Sequence, residues 1–231
     1  MVENSPLSKH HFILASKSPR RHYLLKELGL DFEIVTKDVD ESFPESLKEQ
    51  EIPLFLCEKK ANAFDEELKS NPNTILITAD TIVWVNNHVL NKPDDKNDAV
   101  RMLKILSGNM HEVFTGVSLR SSNKKKSFYT RTKVYFKPLS DFEINNYIDT
   151  YQPFDKAGSY GAQESLPFQM NPCSTEEINF LNKLGKHSLI ENSINTIQNG
   201  KSCVLIDSLE GSYFNVMGLP IKELYEELIK F

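Results

Sequence analysis

Only three cysteines occur in 231 residues, Cys57, Cys173 and Cys203, far apart and without a CxxC pair. That scarcity argues against a disulfide framework or a cysteine-built zinc site, and it predicts a reducing, cytoplasmic home. Nine glycines and eleven prolines are too few for a fibrous or low-complexity chain, and 39% hydrophobic content is too much for a disordered one. No apolar run approaches the roughly 20 residues of a membrane helix. Near the N-terminus the apolar run extends only from Phe12 to Ala15, so no signal peptide and no membrane partner are expected. The six histidines (positions 10, 11, 22, 88, 111 and 187) form neither HxxxH nor HxH, which speaks against a histidine metal site. GxSxG, Walker and Rossmann glycine patterns are all missing, so hydrolase-elbow, P-loop and dinucleotide readings lack support. A net charge of -5 does not suit a nucleic-acid coat. It leaves room for one phosphorylated small molecule, because a few Lys and Arg can dominate a cleft in an acidic protein.

Short apolar runs alternate with helical patterns along the chain. Phe12–Ala15 reads as a buried strand, followed by Ser18 as N-cap, Pro19 at the first helical position, and Leu24, Leu25 and Leu28 inward before Gly29. A strand over 32–36 leads to the acidic loop 37–41, and one helix is expected from about Pro53 to Lys69. Residues 74–85 are strongly β, with Asn86-Asn87 as a two-residue hairpin turn into 88–90. A helix is predicted over 94–106, then a hairpin of strands 113–120 and 128–136 around the solvated lysine turn 124–126. Ser140/Glu143 and Ser174/Glu177 are capping boxes opening two further helices. Strands are expected over 203–209 and 213–216, and a terminal helix begins after Leu219-Pro220 with Leu224 and Leu228 inward. The interleaving predicts an α/β fold with a mixed sheet, one domain over 1–231.

Two segments carry chemical signals of their own. A helix N-terminus favours anions, yet Arg20 and Arg21 sit in the first turn, where cations oppose the dipole. A phosphate accepting their forked hydrogen bonds resolves that conflict; solvent exposure or pairing with acids does so equally. Asp80 ends a very apolar strand, where a carboxylate either binds metal or water, or caps a turn. Glu41, Lys60 and Lys92, taken singly, read as surface charges.

Together, Leu14-Ala-Ser-Lys-Ser-Pro-Arg-Arg21, Ala79-Asp-Thr-Ile-Val83, Lys92-Pro93, the stretch Ser107 to Gly116 and the stretch Asp155 to Gln163 closely resemble the Maf family. The ending Glu210 to Pro220 is similar too, so the resemblance spans nearly the whole chain. It implies a fold like that of the inosine triphosphatases: a long twisted mixed sheet flanked by helices, with a cleft between two lobes. It also implies a nucleoside triphosphate substrate cleaved to a monophosphate and pyrophosphate with Mg²⁺ or Mn²⁺, and a homodimer. By position, Ser16, Arg20 and Arg21 match the phosphate motif, with Lys60 and Lys92 as further cations. Glu41 and Asp80 match the metal-side acids, Asp80 the proton acceptor, and Arg20, Thr81 and Gln163 the positions linked to substrate choice.

The residues make that chemistry coherent. Four cations and a divalent metal offset a triphosphate, and hard carboxylate oxygens suit Mg²⁺ or Mn²⁺. An ordinary Asp, with pKa ~3.9, is a weak base, so Asp80 either removes a proton or positions water as a metal ligand. The Gln163 amide can accept from thymine or uracil N3–H and donate to O4, which favours dTTP and UTP; flipped, it pairs with cytosine. Asn91 and Glu164 stand where the family usually has Gly, and residues from about 165 to 200 exceed its usual connection. That insertion either packs over the base pocket or a subunit interface, or decorates the surface. Competing functions are a pyrophosphatase for modified nucleotides and a non-catalytic nucleotide-sensing regulator of cell division.

Overall fold

The computed structural model describes residues 6–168, 170–199 and 203–231. Strand β1 (His11–Leu14) leads to α1 (Pro19–Glu27), β2 (Phe32–Ile34), α2 (Glu51–Asn62) and α3 (Asp65–Ser70). Then come β3 (Thr74–Val85), β4 (His88–Leu90), α4 (Lys96–Leu106), β5 (Met110–Arg120), β6 (Lys125–Phe136) and α5 (Asp141–Tyr151). The last elements are α6 (Ala162–Ser165), α7 (Thr175–Lys183), α8 (His187–Asn199), β7 (Ile206–Glu210), α9 (Tyr213–Met217) and α10 (Ile221–Lys230). Among the described residues, seven strands form one mixed sheet in the order β2-β1-β3-β5-β6-β7, with β4 paired to β3. The expected mixed α/β sheet is thus present. No helix among the described residues is long and apolar enough to cross a membrane.

The chain divides into two compact units, and β3, β5 and β6 each contribute a part to both. The first unit holds the residues up to Thr81, Thr115–Thr130 and Gly218–Phe231. Here β1 runs parallel to both β2 and β3, with Phe12 opposite Phe32 on one side and Ile75 on the other. A strand flanked this way is covered on both faces, which is why 12–14 is an unbroken apolar run. Under α2 and α3, Ile13, Ala61, Phe64, Leu68 and Leu76 form a buried cluster.

The second unit holds Ile82–Phe114 and Arg131–Met217. Its β3–β4 hairpin is antiparallel and turns at Asn86 and Asn87, whose φ values of 50° and 61° are those of the primed turn that Asn tolerates. Helices α4 and α5 open on side-chain caps, Asp95 to the Asp98 N–H and the reciprocal Ser140/Glu143 box. Burying Leu103, Leu106, Ile144, Tyr147 and Ile148 packs the two helices together.

Local structure departs from expectation at several places. Strands β5 and β6 start three residues early, at Met110 and Lys125, so Lys125 and Lys126 of the expected turn are paired in β6. The helix expected over 53–69 is two helices. Phe64, at φ -107°, breaks the run to enter the core, Lys37 Nζ donates to the Ala63 carbonyl, and three acids open α3 at its positive end. Ser18 flanks α1 without a side-chain cap; its N–H donates instead to Ser16 Oγ at 3.2 Å. The strand expected from Cys203 begins at Ile206. The strand expected over 213–216 is the helix α9, because the donors that would join a strand ladder are taken. The Tyr213 and Phe214 N–H groups donate to the Glu177 carboxylate, and the Asn215 N–H donates to Ser212 Oγ.

Candidate active site

Seven of the nine residues singled out in the sequence lie in the first unit: Ser16, Arg20, Arg21, Glu41, Lys60, Asp80 and Thr81. The loop from β1 to α1 starts from a strand locked into the sheet, with the Ala15 N–H on the Ile77 carbonyl at 2.9 Å. Ser16 is buried, and its carbonyl accepts from His22 Nε2 at 2.6 Å. The turn is thereby closed from both sides.

Arg21 spends its fork inside the protein. Nε donates to the Gly218 carbonyl at 2.8 Å, Nη1 to the Ala79 carbonyl at 2.8 Å and Nη2 to Thr81 Oγ1 at 3.0 Å. A long Nη1 contact of 3.5 Å reaches Ser16 Oγ. Burial pulls the guanidinium below its ordinary pKa, with Asp80 acting in the opposite sense and Arg20 adding to the depression. Planar bidentate geometry suits three acceptors at fixed angles, which a lysine cannot serve. Thr81 in turn shares a 2.9 Å hydrogen bond with Thr115 on β5.

Lys60 and Asp80 meet because α2 is seated tightly on the sheet. A Cβ at Gly116 of β5 would lie 2.6 Å from the Pro53 carbonyl carbon and oxygen, so only glycine admits the first turn of α2 there. One turn before Lys60, the Cys57 carbonyl accepts from Thr78 Oγ1 of β3 at 2.7 Å. With that register fixed, Lys60 Nζ lies 2.5 Å from Asp80 Oδ1 and 2.8 Å from Glu41 Oε1.

Glu41 arrives on a loop whose acids are each matched by a lysine. Asp38 pairs with Lys17 at 2.7 Å, and Asp40 with Lys59 at 3.0 Å. Hydrogen bonds from Ser42, then from Lys59, hold the Asp40 carboxyl well below the usual carboxylate range. Two carboxylates from distant segments therefore converge on one cation. Among the described residues no group of three or more His, Cys, Asp and Glu could form a protein cage for a metal. Two hard oxygens fit Mg²⁺ or Mn²⁺, which complete their shells with water and substrate phosphate.

Lys92 and Gln163 lie in the second unit. Lys92 is exposed on the loop after β4. The preceding Asn91 carbonyl accepts from the Gly158 N–H at 3.1 Å, joining that loop to the segment 157–163. Gly158 has φ 69°, and a Cβ on it would meet Val83 Cγ2 at 2.9 Å. Tyr160 OH is 2.7 Å from Nε2 of His111, a buried ring whose pKa is pushed down to about 3 by desolvation. The Gly161 N–H donates to Tyr147 OH at 3.0 Å, and that hydroxyl donates to Glu164 Oε1 at 3.1 Å. Glu164 folds over Gly161, where a Cβ would touch its carboxylate at 2.5 Å. Gln163, half-buried on α6, is bracketed by these fixed neighbours.

The sequence pointed to no site role for His111, Tyr147 or Thr115, and showed Glu177 only as the far half of a capping box. The local signal for Tyr147 was its place on the inward stripe of α5, and Gly116 was visible only as the end of a motif.

A model of the family described as "Maf-like protein" matches residues 11–170. The chain belongs to the Maf family. A Flavobacterium johnsoniae protein named dTTP/UTP pyrophosphatase is 43% identical over 222 residues, 96% of this chain and 95% of its own. Proteins of the same name from Bacteroides fragilis and Phocaeicola vulgatus are 42% and 41% identical, covering 96% and 100% of this chain and of their own. The structure of the Staphylococcus aureus Ham1 protein superposes on 55% of this chain and 71% of its own, at 14% identity and a TM-score of 0.39. A score that low adds nothing to the fold, which stands on the sheet described above.

Proposed function

We propose that this Maf-family protein hydrolyses dTTP and UTP between the α- and β-phosphates, releasing a nucleoside monophosphate and pyrophosphate. The observation that carries the reading is the convergence of Glu41 and Asp80 on the Lys60 ammonium. Relatives named dTTP/UTP pyrophosphatase, at about 40% identity over nearly the whole chain, support the substrate.

In this reading Glu41 and Asp80 would hold a divalent cation, which when bound would supply charge neutralisation at the phosphates and acidify water beside them. Asp80 orients the attacking water by accepting a hydrogen bond from it, and that proton passes to Asp80 or to solvent as the new phosphorus–oxygen bond forms and pyrophosphate leaves. Lys60, released from Asp80, follows the negative charge onto the phosphates, together with Arg20 and Lys92. Arg21 serves the same site from behind by fixing the Ser16 turn and the end of β3. Gln163 reads the pyrimidine edge, accepting from N3–H and donating to O4. A cytoplasmic homodimer is the setting the family resemblance suggests.

A panel of nucleoside triphosphates with Mg²⁺ or Mn²⁺ tests the reading by pyrophosphate release. The expected result is preference for dTTP and UTP, dependence on added metal, and near-complete loss in Asp80→Asn. A folded protein inert towards the whole panel would favour a nucleotide-sensing role instead.

A further inference from the structure

Residues 171–199 lie beyond the span matched by the family model, and they carry a buried carboxylate. Glu177 of α7 is 2% exposed. Its Oε1 accepts from Ser212 Oγ at 2.6 Å and the Phe214 N–H at 3.2 Å; its Oε2 accepts from the Ser174 N–H at 2.8 Å and the Tyr213 N–H at 3.3 Å. Ser174 is the N-cap of α7, and Tyr213 and Phe214 open α9. One carboxylate therefore closes the N-termini of two helices, where hydrogen bonds and helix dipoles offset the cost of burying its charge.

Helix α6 is reached from both ends of that joint, by α9 directly and from α7 through α8. Helix α9 packs on α6, and so does α8, which itself packs on α7. The end of α6 is tied down by the Leu205 N–H on the Ser165 carbonyl at 2.9 Å. On its other side α9 is anchored through Asn215 Nδ2, which donates to the Val113 carbonyl and to Thr132 Oγ1. Gln163 is the second residue of α6.

We propose that Glu177 is a positioning residue for base selection: by joining α7 to α9 it fixes α6, and so sets where the Gln163 amide meets the base. The proposal rests on the reading of Gln163 as the base-reading group. Glu177→Gln keeps the size but replaces one acceptor oxygen with an NH₂ that faces N–H donors.

The experiment measures kcat and KM for dTTP and dCTP in the wild type, Gln163→Ala, Glu177→Gln and the double variant. Displacing a binding group without touching the reacting atoms should raise the KM for dTTP about tenfold while kcat changes less than about twofold. The preference for dTTP over dCTP should shrink, and the double variant should be no worse than Gln163→Ala alone. Unchanged base preference in Glu177→Gln, with only a lower Tm, overturns the proposal and leaves a purely structural brace. Multiplicative losses in the double variant also overturn it, because the residues then act separately. Unchanged base preference in Gln163→Ala sinks the reading of Gln163 and the proposal with it. Should Glu177→Gln fail to fold, Ser212→Ala removes one of the four donors and carries the same comparison at smaller amplitude.

Discussion

Arg21 Nε donates to the Gly218 carbonyl at 2.8 Å across 197 residues of sequence. The helix that begins at the end of the Leu14–Arg21 motif is thereby fastened to the Gly-Leu-Pro turn that leads into α10. Gly218 takes φ 107°, a backbone conformation that favours glycine, and the other arms of Arg21 hold Ala79 and Thr81 on either side of Asp80. A residue that reads in sequence as a phosphate ligand is also the pin around which the site is assembled.

Arg21→Lys should therefore destabilise the protein, although charge is kept. Losing charge-assisted bonds to buried acceptors costs about 2–3 kcal/mol. Urea unfolding of Arg21→Lys beside Arg20→Lys measures this. The Arg21 variant should lose midpoint stability, whereas the Arg20 variant should mainly raise KM. Equal midpoints for the two would remove the pin role.

Lys60 holds in the free protein the carboxylates that the metal is proposed to use. Lys60→Met should then bind Mn²⁺ more tightly than wild type in the absence of nucleotide, by about tenfold for one removed competing charge. Turnover should fall in the same variant. Metal titration by calorimetry or electron paramagnetic resonance reads the first effect without relying on activity. Weaker Mn²⁺ binding in Lys60→Met would count against convergence on a shared cation position.

Gly116→Ala should be among the most damaging single-methyl changes. The new Cβ would stand 2.6 Å from the Pro53 backbone, which no side-chain rotation relieves. Helix α2 must shift, carrying Lys60 away from Asp80. Overpacking of this kind costs about 3 kcal/mol. Tm together with kcat should fall, and a variant of wild-type stability would show that α2 is loosely seated.

The buried His111 gives stability a pH dependence of known sign. Its pKa lies at about 3 in the fold, against ~6.5 in an unfolded chain. Between those values the unfolded state binds the extra proton, so stability is fully present above about pH 6.5 and declines as pH falls towards 3. The slope approaches ~1.4 kcal/mol per pH unit for one proton. Comparing unfolding free energies of wild type and His111→Gln from pH 7 to 4.5 isolates this contribution. The variant should lose that part of the acid sensitivity.

Elements set by neighbours along the chain are legible in the sequence. Pro19 at a helix start, the Asn86-Asn87 turn, the Ser140/Glu143 and Ser174/Glu177 boxes and the terminal helix after Pro220 all stand where their local chemistry puts them. Residues 213–216 resist the same reasoning because Tyr, Phe and Val favour strands, while the carboxylate that stabilises the helix comes from Glu177. Glu41 and Lys60 are no more than surface charges singly, and only the motif resemblance joins them to Asp80.

The sequence by itself determined the alternation of strands and helices, the family motifs and the chemical types available for a triphosphate. Those properties follow from short-range sterics, capping and hydrophobic period, which act over a few residues. Tertiary structure alone decided that Lys60 is shared by two acids, that the Arg21 fork is consumed by Ala79, Thr81 and Gly218, and that Glu177 caps a helix 36 residues away. Each of those depends on where packing brings distant donors and acceptors within hydrogen-bond reach.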